Sequence, residues 1–279
     1  MNIAIVGTGL IGGSIGIRLK EINFSDKIIG VEKSESNQKK ALQLGLVDEI
    51  QSLEDAIKNS KIIILTVPVD AIINMLPQIL DQVTDQVVID MGSTKSNILS
   101  LINDHPKRGR YVAAHPMAGT EYSGPEAAIS GLFKDKMMVY VEAFKSDEDA
   151  FEIADSITEQ LEMQTSFMNA DEHDMHTAYV SHISHLTSFA LALTVLEKEK
   201  SQGRIFELAG SGFQSTVRLA KSSPDMWTPI FRQNRTNVLE VLEEHINQLQ
   251  KLHDTLESED YPSLHKLIKK SNKIKRIIK

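Results

Sequence analysis

The sequence predicts an α/β protein in two parts: a doubly wound, parallel-sheet dinucleotide-binding domain followed by an all-α dimerisation domain. Three observations carry the fold. Short apolar runs at residues 3–6, 62–65 and 87–90 alternate with helix-periodic stretches, the pattern of strands buried on both faces of a parallel sheet. The first run empties directly into Gly7-Thr8-Gly9-Leu10-Ile11-Gly12. Past Asn169-x-x-Glu172, which reads as a capping box, nearly every stretch is helix-periodic. The boundary is therefore expected after residue 169, with 1–169 as the first domain and 170–279 as the second.

The glycine loop supplies the first candidate site. Gly7 permits a tight turn, Gly9 admits a pyrophosphate to the backbone, and Gly12 lets the next helix pack closely, its N-terminal N–H groups facing phosphate. Leu10 and Ile11 fill the variable positions between them. The motif alone is weak evidence, but here a strand precedes it and a helix follows. Glu32 closes the expected strand 27–31, where a carboxylate accepts hydrogen bonds from the adenine ribose and repels a 2′-phosphate. A Rossmann-type domain holding NAD is the expectation. Val67 and Pro68, just past the strand at 62–65, should border the same crevice.

Further strands are expected at about 111–113, 137–141 and 163–167, and helices at about 36–44, 69–80 and 147–161. Ser93, beyond the strand at 87–90, reads as a helix cap or a substrate contact. His115 follows the next apolar run in Ala114-His115-Pro116-Met117-Ala118-Gly119-Thr120-Glu121. Pro116 biases His115 towards extended geometry, and Gly119 should allow a tight turn that returns Glu121. In the helical half, Asp174, Ser181 and His185 are spaced to share one stripe. His173, His176, His182 and His185 raise a metal reading, but no carboxylate ligand set accompanies them, and no metal is expected. Arg218, after Ala209-Gly210-Ser211-Gly212-Phe213, is either a solvated charge or a two-pronged donor to an anion. Ser223-Pro224 should cap and open the helix that carries Trp227. The apolar positions between Val238 and Leu252 exceed what a small helical domain covers, which predicts a homodimer.

With 279 residues and 41% hydrophobic content, a substantial core is available. The net charge of -8 argues against general nucleic-acid binding. The basic tail, Lys266 to Lys279, reads as a solvated last helix whose cations suit the negative dipole end. The absence of cysteine excludes disulfides, thiolate metal sites and cysteine nucleophiles, and is compatible with a reducing compartment. The opening strand leaves no room for a signal peptide, and no apolar run approaches the ~18 residues of a membrane span. A cytoplasmic protein without membrane contact is expected.

Five blocks now carry a family resemblance: residues 7–12, Asp-Met-Gly-Ser-Thr-Lys at 90–95, His-Pro-Met-Ala-Gly-Thr-Glu at 115–121, Ser-His-Ile-Ser-His at 181–185, and Gly-Phe-Gln-Ser-Thr-Val-Arg-Leu-Ala with Pro-Asp-Met-Trp between 212 and 227. Across essentially the whole chain they resemble the prephenate dehydrogenases and the similar arogenate dehydrogenases. Only the first block is generic. The resemblance implies a helical dimerisation domain and an active site between the two domains. It implies His115 as the catalytic histidine on the substrate's ring hydroxyl, Ser93 beside that hydroxyl, and Arg218 on a substrate carboxylate. It further implies His185 and Ser181 lining the pocket, Glu121 and Asp174 in its acidic network, and Trp227 reaching in from the other subunit. Ser211 stands where relatives often carry glycine. No regulatory domain or chorismate mutase is expected beside these two parts, nor feedback through one.

The implied reaction is oxidative decarboxylation of prephenate to 4-hydroxyphenylpyruvate with NAD+, in tyrosine biosynthesis. His115 should accept a proton, giving an acid limb near histidine's ~6.5. Arogenate as substrate and a non-catalytic dinucleotide sensor are the alternatives. A hydroxyacid dehydrogenase is disfavoured because no lysine occupies a corresponding helix motif.

Overall fold

The computed structural model describes residues 1–277; Lys279, the last cation of the basic tail, lies outside them. One sheet of eight strands runs in the order β3-β2-β1-β4-β5-β6-β7-β8. The strands are β1 Asn2–Val6, β2 Lys27–Val31, β3 Glu49–Ile50, β4 Ile62–Leu65, β5 Val87–Asp90, β6 Tyr111–Pro116, β7 Met137–Val141 and β8 Gln164–Met168. All neighbours are parallel except β6 and β7, which pair antiparallel with His115 opposite Val139. Two-residue β3 was too short to leave a pattern in the sequence. The reversal of strand order between β1 and β4 opens the crevice in which such sheets take ligands, at the strands' carboxyl ends.

Helices α1 Leu10–Glu21, α2 Glu35–Gln43, α3 Leu53–Asn59, α4 Val69–Gln82, α5 Ser96–Ile102 and α6 Glu148–Gln160 cover the sheet. Strand residues alternate between two cores: Ile3, Ile5, Ile62, Ile64, Val112 and Ala114 face one, while Ala4, Ile63, Tyr111 and Ala113 face the other with Ile72 and Leu76 of α4 and Ile98 of α5. By the period of two, His115 belongs to the second face. The strand continues through Pro116, so His115 sits inside β6 rather than beyond its end.

The helical part comprises α7 Ala170–Thr177, α8 Ile183–Glu199, α9 Ser211–Val217, α10 Pro224–Gln233, α11 Arg235–Glu257 and α12 Tyr261–Ser271. Asn169 caps α7 as the sequence predicts, its side chain accepting from Glu172 N–H at 2.9 Å. Ser223 has N-cap geometry, but its hydroxyl makes no capping bond. A π turn at Ala178–His182 joins α7 to α8, making one rod of 30 residues, Ala170–Glu199. By length and composition alone the rod is long and apolar enough to cross a membrane, and 11% of its most apolar window is buried. Yet the rod also carries His173, Asp174 and His182, all buried against protein.

The two parts are tied by polar bonds. Arg232 Nη1 and Gln233 Nε2 donate to the Asp70 carboxylate at 2.7 and 2.6 Å. Beside them, Trp227 and Ile230 of α10 pack on Val69 at the start of α4.

Candidate active site

The glycine loop has the backbone that a bound dinucleotide needs. Gly7 has φ +95°, and a Cβ there would lie 2.8 Å from Val67 Cγ1. At Gly12 a Cβ would come within 2.1 Å of Gly7 O and 2.5 Å of Thr66 Oγ1, so the first turn of α1 can seat against the loop only without a side chain. Gly9 is different: its nearest neighbour would be 3.8 Å away, which leaves room for a phosphate to approach. Glu32 reaches back over the loop. Its Oε2 takes a hydrogen bond from Thr8 Oγ1 at 3.3 Å, and its Oε1 one from Ser34 N–H at 3.0 Å. Leu10 and Ile11 line the adjoining cleft, and Val67 packs beside Gly7. Pro68 occupies the N-cap of α4 rather than its first turn.

His115 reaches the second face of the sheet and meets α7. Its Nδ1 lies 2.8 Å from His173 Nε2, and His173 Nδ1 lies 2.8 Å from Asp174 Oδ1. Asp174 also accepts from Lys95 N–H at 2.8 Å and Ser96 N–H at 2.9 Å, at the start of α5. Burial, then the neighbouring His173, Lys95 and His182, push His115 well below the usual histidine value. An acid limb set by His115 is therefore expected to lie below histidine's usual ~6.5. Burial alone would raise Asp174, but hydrogen bonds from His173 and the Ser96 amide hold it below the usual carboxylate range.

The loop bearing Ser93 is pinned at both ends. Asp90 Oδ2 accepts from Lys95 Nζ and from Tyr111 Oη, each at 2.7 Å, while Asp90 Oδ1 accepts from Gly92 N–H at 2.6 Å. Lys95 and Asp90 are fully buried, so each charge depends on the other. Ser93 is thereby left facing the cleft, and α5 starts only at Ser96, so Ser93 does not cap it.

That cleft holds about 360 Å³ and is lined by Ser93, His115, Ser181, His185, Arg218 and Trp227, among others. His185 Nδ1 lies 3.1 Å from Ser181 O, and the ring stacks on Trp227 with centroids 3.5 Å apart. Burial lowers the His185 pKa. Trp227 Nε1 is buried without a partner among the described residues. Arg218 Nη1 donates to Glu121 Oε2 at 2.7 Å across the rim. A second cleft, of about 350 Å³ beside Asn103, Glu142 and Lys145, contains none of the predicted site residues.

Asp174 departs from the sequence-based expectation, while Trp227 and Glu121 line and border the cleft. Trp227 lines the cleft of its own chain, where Pro224 starts α10 and the helix folds back onto α8 and α4. Asp174 does not line the cleft; the π turn widens the helix between it and Ser181, so the expected shared stripe is broken and Asp174 turns towards α5. Glu121 reaches Arg218 as expected of a network member, but Gly119 has no left-handed φ, and a Cβ there would meet nothing within 4 Å.

Two family models divide the chain between them. One, described as the nucleotide-binding domain of prephenate dehydrogenase, matches residues 15–166; the other, described as its dimerization domain, matches residues 169–270. The chain belongs to the prephenate dehydrogenase family. Prephenate dehydrogenase of Bacillus subtilis is 30% identical over 96% of this chain and 73% of that protein. Cyclohexadienyl dehydrogenase of Zymomonas mobilis is 29% identical over 100% of this chain and 96% of its own. Among solved structures, prephenate dehydrogenase from A. aeolicus in complex with hydroxyphenyl propionate and NAD+ superposes with a TM-score of 0.86 at 29% identity, covering 99% of this chain and 97% of that one. Synechocystis arogenate dehydrogenase gives 0.74 at 26% identity, with 99% of both chains covered.

For this member of the prephenate dehydrogenase family, sequence reasoning passed over His173 except as a metal ligand, and over the Asp90–Lys95 pair. A signal for the pair was present. An aspartate ends an otherwise apolar strand and a lysine follows five residues later, and neither has a solvent face.

Proposed function

We propose that the chain catalyses NAD-dependent oxidative decarboxylation of prephenate to 4-hydroxyphenylpyruvate, as a homodimer in the cytoplasm. Residues 1–169 act as the NAD-binding domain and 170–279 as the helical dimerisation and substrate domain. The observation that carries this reading is His115: it opens onto the cleft with one ring nitrogen already engaged by His173, which leaves Nε2 for the substrate. The open approach at Gly9, the tight seat of Gly12 and the Glu32 carboxylate suit the pyrophosphate and ribose of NAD, with Val67 and Pro68 at the crevice edge. Bound NAD+ supplies the hydride acceptor.

The chain's own residues then have defined tasks. His115 Nε2 takes the ring hydroxyl proton as the carbinol carbon is oxidised, which favours the forming carbonyl. Loss of carbon dioxide returns an electron pair to the ring, and His115 gives the proton back to the phenolic oxygen. Ser93 holds the hydroxyl in line, while Ser181, His185 and Trp227 wall the ring. Arg218 exchanges or shares Glu121 for a substrate carboxylate; half its side chain is exposed, so it can move.

Arogenate is the second reading. Its ammonium needs an anionic partner, and no carboxylate lines the cleft among the described residues: Glu121 is bonded to Arg218 and Asp174 faces α5. This favours the keto side chain of prephenate. Purified protein with NAD+ and each substrate, followed by absorbance of the reduced nicotinamide, should turn over prephenate faster. No turnover with either would leave the dinucleotide-sensor alternative.

The exposed apolar side of α8 and α11, with Leu193 67% and Ile246 53% accessible, supports a covering second copy.

A further inference from the structure

We propose that His173 and Asp174 act as positioning residues that set the tautomer of His115, placing its proton on Nδ1 and leaving Nε2 bare towards the cleft. This rests on the reading of His115 as the proton acceptor. The assignment follows atom by atom. Asp174 is an acceptor with three donors on it: His173 Nδ1, Lys95 N–H and Ser96 N–H, at 2.8, 2.8 and 2.9 Å. His173 Nδ1 therefore carries a hydrogen. A neutral His173 then has a lone pair on Nε2, and the only ring nitrogen facing it is His115 Nδ1 at 2.8 Å. His115 Nδ1 must donate, so the Nε2 of neutral His115 is a free base.

The surroundings favour this arrangement. His173 is 0% and Asp174 1% exposed, so bulk water does not compete for either bond. The groups that face the pair from neighbouring elements are Lys95, bonded to Asp90, and His182, which shares Asn234 with the Asp174 carbonyl. When substrate loses its hydroxyl proton, the O–H bond breaks and an Nε2–H bond forms on His115. The imidazolium keeps donating through Nδ1 to His173, and the Asp174 charge at the far end of the chain offsets it. No further proton needs to move. This is the logic by which a buried carboxylate orients a catalytic histidine, with an extra imidazole interposed.

The test begins on wild-type protein without substrate. In 15N-edited spectra at neutral pH, the signals lost in His115→Asn should show Nδ1 protonated and Nε2 unprotonated; the opposite tautomer overturns the proposal. In kinetics, Asp174→Asn offers an amide donor to His173, reversing the hydrogen-bond chain. It should lower kcat by ~10²–10⁴-fold with the KM for NAD+ unchanged. His173→Phe keeps a ring of similar volume but no acceptor and should lose as much, whereas His173→Gln can accept from His115 and donate to Asp174 and should recover part of it. A phenylalanine variant as active as wild type, or as active as the glutamine one, would mean that His173 only fills space. If wild-type protein turns over neither prephenate nor arogenate, the proposed reaction fails, and the spectra still decide the tautomer.

Discussion

The sheet half and the helical half bury themselves to very different degrees. Every residue of β4, β5 and β6 is buried. Of the 17 residues of α8 only Ser188 is buried, and of the 23 in α11 only Val238 and Val241. Both halves are rich in Leu, Ile and Val, so the difference lies in what covers them. The sheet is closed by its own crossover helices, which the chain supplies on both faces. The rod and α11 present Leu193, Leu196, Ile246 and Leu249 at half exposure or more. One half is finished by its own chain; the other leaves an apolar face that suits the second copy proposed above. The cleft draws on both, with Ser93 and His115 from the first and Ser181, His185, Arg218 and Trp227 from the second.

The contrast can be broken first at its chemical centre. His115→Asn leaves the sheet folded but removes the proton acceptor, so kcat should fall by ~10²–10⁴-fold while NAD+ binding is kept; near wild-type kcat would remove His115 from the mechanism. Lys95→Met tests the self-sufficiency of the sheet half. It strands the Asp90 carboxylate in a dry core and should cost about 3–5 kcal/mol in urea unfolding. Leu193→Glu combined with Ile246→Glu tests the other half. On a free surface such changes stay within about 0.5 kcal/mol, but on a covered face they should separate the copies in sedimentation and lower activity with them. An unchanged dimer would mean that other surfaces make the contact.

Arg218→Ala should raise the KM for prephenate by about tenfold with kcat little changed, since a half-exposed guanidinium contributes less than a buried one. The smallest effect is on stability against pH. His115 and His182 are held neutral in the fold, His182 pushed down to about 4 mainly by burial. The unfolded chain takes these protons near ~6.5. Both contributions are thus fully present above ~6.5 and decline as pH falls below it, that of His182 being lost towards about 4. Urea midpoints at decreasing pH should follow that slope, and His115→Asn should flatten it. The acid limb of kcat/KM should likewise lie below ~6.5 and vanish in that variant.

The parts of this molecule that were legible in the sequence are those whose physics is local. An unbroken apolar run makes a buried strand, Asn169 caps the helix that follows it, and Gly7 and Gly12 are demanded by backbone geometry within a few residues. His115 was legible for the same reason, through Pro116 and the preceding strand. What was hidden depends on distant meetings. His173 and His115 are 58 residues apart, and nothing local marks a histidine that will find another across a sheet face. Asp174 was misplaced because a π turn has no composition signal, yet it rotates everything beyond it. The place of Trp227 in the cleft of its own chain was hidden too, since it follows from how α10 folds back on α4.

The rod Ala170–Glu199 holds His173 and Asp174 at one end, Ser181 and His185 near its middle, and the uncovered Leu193 and Leu196 towards the other end. It runs unbroken from the imidazole behind His115 to the apolar face proposed for a second copy. If a second copy covers that face, substitutions at the seam should be felt at the imidazole behind His115 as changes in turnover.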